Sequence, residues 1–151
     1  MNLEAVGMRR ADVVLAYFLL RVALGLNILM HGVARILTGT DVFAAGLSRT
    51  FQGTPLPHSA VVAFGLSLPW VEALLGLLLL AGFLTRWALI AGSLLMLVLM
   101  FGSSLHQDWN IVGIQLTYAV VYAILLALHG VDRYSLDALV KSRKSAPNNA
   151  P

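Results

Sequence analysis

The sequence contains no cysteine. Disulfides, thiolate metal ligands and thiol redox chemistry are thereby excluded. Charge is also scarce: 11% of residues are Asp, Glu, Lys or Arg, against roughly 25% in soluble domains. No basic patch with interleaved aromatics is present, so nothing points to nucleic acid as a partner. No small-residue cleavage site follows the first apolar stretch, which is too long and too polar for a signal peptide and is expected to be retained. What remains is 59% hydrophobic, with mean hydropathy +0.84. At 151 residues this is about one domain, and its composition is that of an integral membrane protein.

Hydropathy divides the chain into a polar head, residues 1–12, a transmembrane region, residues 13–130, and a tail, residues 131–151. Four apolar segments lie in the middle region: Val13–Leu37, Ala60–Leu84, Trp87–Leu105 and Ile111–Leu128. Each is long enough, at ~1.5 Å per residue, to cross or nearly cross a ~30 Å hydrocarbon core. The expected fold is an all-α, four-transmembrane-helix antiparallel bundle. Within the first connection, Asp41–Phe51 spaces Val42, Phe43, Leu47 and Phe51 as a short amphipathic helix on the membrane surface. Ser59 is a plausible N-cap for the second span. Pro69 inside that span frees the Gly65 carbonyl and predicts a kink. In the tail, Ser135 can cap a short amphipathic helix, Leu136–Arg143, before a disordered end, Ser145–Pro151.

Arg9, Arg10, Arg86, Arg133, Lys141, Arg143 and Lys144 fall on the side of the two termini, with Arg35 and Arg49 on the other. The positive-inside rule then makes both termini cytoplasmic. A multi-pass protein of a bacterial or archaeal plasma membrane is expected.

An ionisable side chain within a bilayer is costly unless it faces the protein interior and meets a partner. The first span carries Arg21, Asn27, His31 and Arg35, and Glu72 is the only acid deep in a span. Reckoned by depth from the helix ends, Arg21 and Glu72 are expected to pair. Gly25 and Gly76 would let their helices approach closely. An ion pair that only fixes helix register is one reading; proton transfer or ligand binding is the other. Gln115, Tyr118, Tyr122 and His129 share one face of the fourth span. They serve either bonds to other helices or a polar lining for a quinone ring. His31, Arg35 and His106 form an outer patch suited to an anion or a quinone carbonyl, with Asp41–Phe51 as a lid. Haem on His31 and His106 is disfavoured, since two histidines are weak evidence. No metal site is expected, because Asp108 and the histidines lack ligand spacing. His58 reads as a solvated loop residue, Asn27 has no assigned role, and Met96, Met100 and Ser103 read as packing.

These residues also resemble a known family. Arg21, then His31-Gly32 and Arg35, look like the arginine, HG pair and basic residue of the DoxX family. Gly53-Thr54-Pro55-Leu56-Pro57 resembles its G-x-P-x-P turn. Glu72, Gly76, Gly82 and Arg86 are similar to its second-span signature. The likeness extends over roughly Val14–Leu128, and Arg35 departs from it where many members carry lysine.

The resemblance implies a four-helix membrane protein in a redox setting. Some relatives are the small subunit of thiosulfate:quinone oxidoreductase, and others accompany membrane oxidoreductase or detoxification systems. The leading expectation is a membrane subunit of a quinone-linked oxidoreductase. His31 or His106 would bond a quinone oxygen, and Glu72 would take a proton. Arg21, Arg35, Gln115, Tyr118 and Tyr122 would bind the ligand. Electrons would come from a partner subunit or bound cofactor, and whether the chain is catalytic by itself stays open. The alternative is a non-catalytic anchor or assembly protein, alone as a homo-oligomer or with a partner. An anion or small-molecule carrier is a third class, weakened by the absence of an internal repeat.

Overall fold

The computed structural model describes residues 9–144. The expected disordered end, Ser145–Pro151, and most of the polar head lie outside the described residues. Six α-helices follow in order: α1 Arg10–Thr38, α2 Thr40–Thr50, α3 His58–Ala81, α4 Thr85–Leu105, α5 Trp109–Ala127 and α6 Leu136–Lys144. A short 3₁₀ turn, His129–Val131, joins α5 to the tail. Four of them, α1, α3, α4 and α5, are long and apolar enough to span a membrane. The chain termini of this bundle share one side, here the tail side, and α2 lies on the other, the loop side.

Several boundaries move against the sequence reading. Helix α1 starts at Arg10, so the last residues of the expected head are helical. Helix α3 begins at His58, one residue before the expected Ser59 cap, and has no side-chain cap. His58 is therefore an exposed helix-end residue. The α3–α4 turn is Gly82–Leu84, because Gly82 adopts a left-handed φ of 64° and ends α3. Phe83 N–H then donates back to the Leu78 carbonyl at 3.0 Å, as in a Schellman cap. Helix α3 continues past Pro69 as one element.

The bundle is built of two tight antiparallel pairs, α1 with α3 and α4 with α5, joined by thinner contacts. Glycine sets the first pair. A Cβ on Gly25 would sit 2.9 Å from the Leu80 nitrogen. One on Gly32 would strike the backbone of Pro69 and Ala73, and one on Gly76 the backbone of Leu29. Close backbone approach of this kind drives helix association where lipid offers no hydrophobic gain. In the second pair Gly92 receives the Tyr122 ring, which is fully buried. The core between the pairs includes Tyr17, Leu24, Ile28, Leu75, Leu79 and Met96. Large apolar side chains such as Leu19, Leu26, Leu74, Leu97 and Val120 point outward, as a lipid-facing surface requires.

Helix α2 lies across the loop side. Ala44 is buried, its backbone and side chain filling the notch at Gly65 of α3. Phe51, just past α2, meets Gly102 and stacks edge-on with His106, ring centroids 5.1 Å apart, at the end of α4.

Candidate functional site

The α1–α3 register decides which polar groups meet. Gly25 lies beside Gly76 and Leu80, and the helices are antiparallel. A residue one turn before Gly25 therefore faces the tail-side end of α3, while Glu72, one turn before Gly76, faces the other way. The expected Arg21–Glu72 pair is accordingly not formed. Arg35 makes the ion pair with Glu72, its guanidinium nitrogen bonded to Oε2. The Glu72 side chain is only 5% exposed, so water cannot serve as its counter-charge and Arg35 must. Arg35 also lies over the Phe43 ring of α2, 4.6 Å from its centroid. One cation thus ties α1, α2 and α3 together beneath the loop-side helix.

Arg21 has a different task. Its guanidinium donates to the Leu79 carbonyl, to the Leu80 carbonyl at 3.3 Å and to the Tyr134 carbonyl at 2.6 Å. Leu79 and Leu80 belong to the last turn of α3, whose carbonyls lack the regular i+4 amide partner, Leu79 accepting among amides only from the capping Gly82 N–H at 3.2 Å, and carry the negative end of the helix dipole. Phe18, one turn earlier, stacks against the same cation at 5.7 Å. Arg21 is therefore a clasp between α1, the end of α3 and the tail, on the opposite face of α1 from most of the groove described next.

Along the outer face of α1 runs a shallow, open groove of about 730 Å³, lined by α1 side chains alone: Ala23, Leu26, Asn27, Met30, His31, Ala34 and Arg35. Most of these positions occupy the α1 face turned away from α3, with Arg35 at the edge where it reaches Glu72, and Leu26 and Met30 are more than half exposed. The groove opens sideways, where acyl chains would lie. His31 stands exposed on it, within electrostatic range of Glu72. Partway along it the Tyr118 hydroxyl of α5 donates to Asn27 Oδ1 at 2.9 Å.

The remaining candidates are placed apart. Gln115 donates to Ser103 Oγ of α4 at 3.0 Å, so Ser103 is a polar contact as well as filler. Tyr122 sits in the α4–α5 core with its hydroxyl enclosed and unpartnered among the described residues. His106 stacks on Phe51 at the end of α4. His129 Nδ1 lies 3.5 Å from the Tyr17 hydroxyl on the tail side. Of the α5 stripe, only Tyr118 reaches the groove's edge. Two participants escaped the sequence reading. Asn27 lies one turn before His31 and two before Arg35, a stripe at helical spacing that was visible. Phe43 was read only as an apolar position of the surface helix, and its individual contact with Arg35 had no signal, because it exists only once α2 folds back over α1.

A family profile for DoxX matches residues 16–104. The match runs from α1 almost to the end of α4 and takes in Arg21, Asn27, His31, Arg35 and Glu72, but not α5. No curated protein and no solved structure matches the chain. With more than half of its 151 residues matched to one family, this multi-pass membrane protein belongs to the DoxX family.

Proposed function

We propose that this chain is the membrane subunit of a quinone-linked oxidoreductase and that the α1 groove receives the quinone. The observation that carries this reading is the groove itself: apolar along Ala23, Leu26, Met30 and Ala34, polar at Asn27, His31 and Arg35, and open to the side. A quinone has the matching shape and chemistry, an apolar tail and ring with carbonyl oxygens at the ring edge. His31 and Arg35 would donate to a carbonyl, and Arg35 links that position to Glu72. Reduction to the quinol consumes electrons and protons together. With no thiol in the chain, the electrons would be supplied by a partner redox subunit.

A photoreactive quinone added to the reconstituted protein should label α1 between Ala23 and Arg35. Leu26→Trp, which fills the groove without touching a polar group, should reduce labelling by about tenfold or more. Labelling confined to another helix, or unchanged in Leu26→Trp, would sink the reading.

The second reading, an anchor or assembly protein with a structural polar core, draws on a specific observation. Arg35–Glu72, Gln115–Ser103 and Tyr118–Asn27 satisfy one another within the bundle. Normal quinone turnover by the partner complex carrying Arg35→Gln with Glu72→Gln would favour it.

A further inference from the structure

We propose that α6 is a surface-seated helix that recognises the anionic phospholipid headgroups of the tail-side leaflet. Its anchoring fixes its depth. Asp137 N–H donates to the Gly82 carbonyl at 3.0 Å. The Asp137 carboxylate accepts from Leu84 N–H at 3.0 Å and Thr85 N–H at 2.8 Å. The start of α6 is therefore held at the α3–α4 turn. That turn lies at the end of two spans, and Phe83, Leu84, Trp87 and Tyr134 stand exposed around it. Aromatic side chains gather at the boundary between headgroups and acyl chains, so α6 is held at that boundary.

The orientation of α6 follows from the same tether. With Asp137 and Ala138 turned to the bundle, Leu136, Leu139 and Val140 fall on the opposite side and are 45%, 59% and 47% exposed. At 100° per residue Arg143 falls on this side as well. The outward face thus has an apolar stripe with a cation at its end, the pattern of a helix lying in a membrane interface.

Charge selects the headgroup. The acids of this region are withdrawn: Asp137 is spent on the α4 amides, and both carboxylate oxygens of Asp132 are enclosed. Arg86, Arg133 and Arg143 are exposed. Among the described residues, the outward face of α6 and the α3–α4 turn is therefore cationic, with the exposed Asp12 at the start of α1 the tail-side acid not withdrawn, and this balance favours phosphatidylglycerol-like lipids over zwitterionic ones.

The chain has no cysteine, so Leu139→Cys in the full-length protein takes a single polarity-sensitive fluorophore, and Val140→Cys supplies a second probe on the same face. Each is placed in nanodiscs of phosphatidylcholine with or without phosphatidylglycerol. With the anionic lipid, the probe should be quenched by brominated acyl chains and shielded from acrylamide. In phosphatidylcholine alone the shielding should fall. Arg133→Gln with Arg143→Gln should lower the seated-to-released ratio in anionic discs by roughly thirtyfold, from about 1 kcal/mol per cation at an anionic surface. Three results would overturn the proposal: equal acrylamide access in both discs, equal immersion in both with no effect of the arginine changes, or shielding without brominated-chain quenching, which means that protein covers the face.

Discussion

Arg21 and Arg35 lie on one helix, about 21 Å apart at 1.5 Å per residue, and only one of them meets the buried acid. The sequence made both visible as intramembrane cations, and it made Glu72 visible as the acid that needs one. It did not show which pairs with which. Depth reckoned from helix ends assumes that α1 and α3 start at a common plane, whereas the glycine contacts slide them along each other. Gly25 and Gly76 themselves carried the correct register: in an antiparallel pair, placing them together sends Arg21 and Glu72 in opposite directions. The consequence is measurable by double-mutant cycles of unfolding stability in detergent. Arg35→Gln combined with Glu72→Gln should show a coupling of about 1–3 kcal/mol, as residues in direct contact do. Arg21→Gln combined with Glu72→Gln should be additive to within about 0.5 kcal/mol. A large coupling for the second pair would mean that the helices are registered as the depth argument supposed.

At the scale of the elements, the four spans were legible because hydropathy alone demands them, and Ser135 was legible as a cap: its Oγ accepts from Ala138 N–H at 3.2 Å. The cap of α4 was not, because it comes from elsewhere in the chain. Leu84 precedes α4 with φ of 49° and offers no capping side chain. Asp137, far along in sequence, supplies the carboxylate that a local Ser or Asp supplies in most helices. Burial raises the pKa of Asp137, but the hydrogen bonds from the Thr85 and Leu84 amides outweigh it, so the net displacement is below the ordinary carboxylate value. A carboxylate with a depressed folded-state pKa contributes its stabilisation above the unfolded value and loses it as pH falls through the folded one. The attachment of α6 should therefore be constant through neutral and alkaline pH and loosen only in acid. A spin label at Val140 in detergent should report this as increasing mobility on acidification. Asp137→Ala should be mobile at every pH, with a loss of about 0.5–2 kcal/mol for the missing cap. A mobility profile for the parent protein that rises towards alkaline pH would contradict the assignment.

At the scale of the whole molecule, the two helix pairs are unequal in how they are held. The α1–α3 pair is locked by backbone contact at Gly25, Gly32 and Gly76 and by the Arg35–Glu72 ion pair. Helix α5 is held firmly only in its tail-side half, where Tyr122 and Leu125 are buried; from Trp109 to Val121 none of its residues is. The Tyr118–Asn27 bond joins the loop-side half of α5 to α1 beside the groove. The bundle is thus packed closely along one side and thinly along the other, the side on which the proposed ligand groove lies. Removing that bond should affect movement more than stability, since one neutral hydrogen bond contributes about 0.5–1.5 kcal/mol net. Spin labels at Met30 and Leu116 should give a broader distance distribution in Tyr118→Phe than in the parent. Labels at Leu26 and Val71, across the α1–α3 pair, should be unchanged by the same substitution. If both distributions broaden together, the pairs are not independent bodies and the groove does not open by movement of α5. If only the first broadens, ligand access to His31 and Arg35 is controlled by a helix whose single polar tie to α1 among the described residues is a tyrosine hydroxyl.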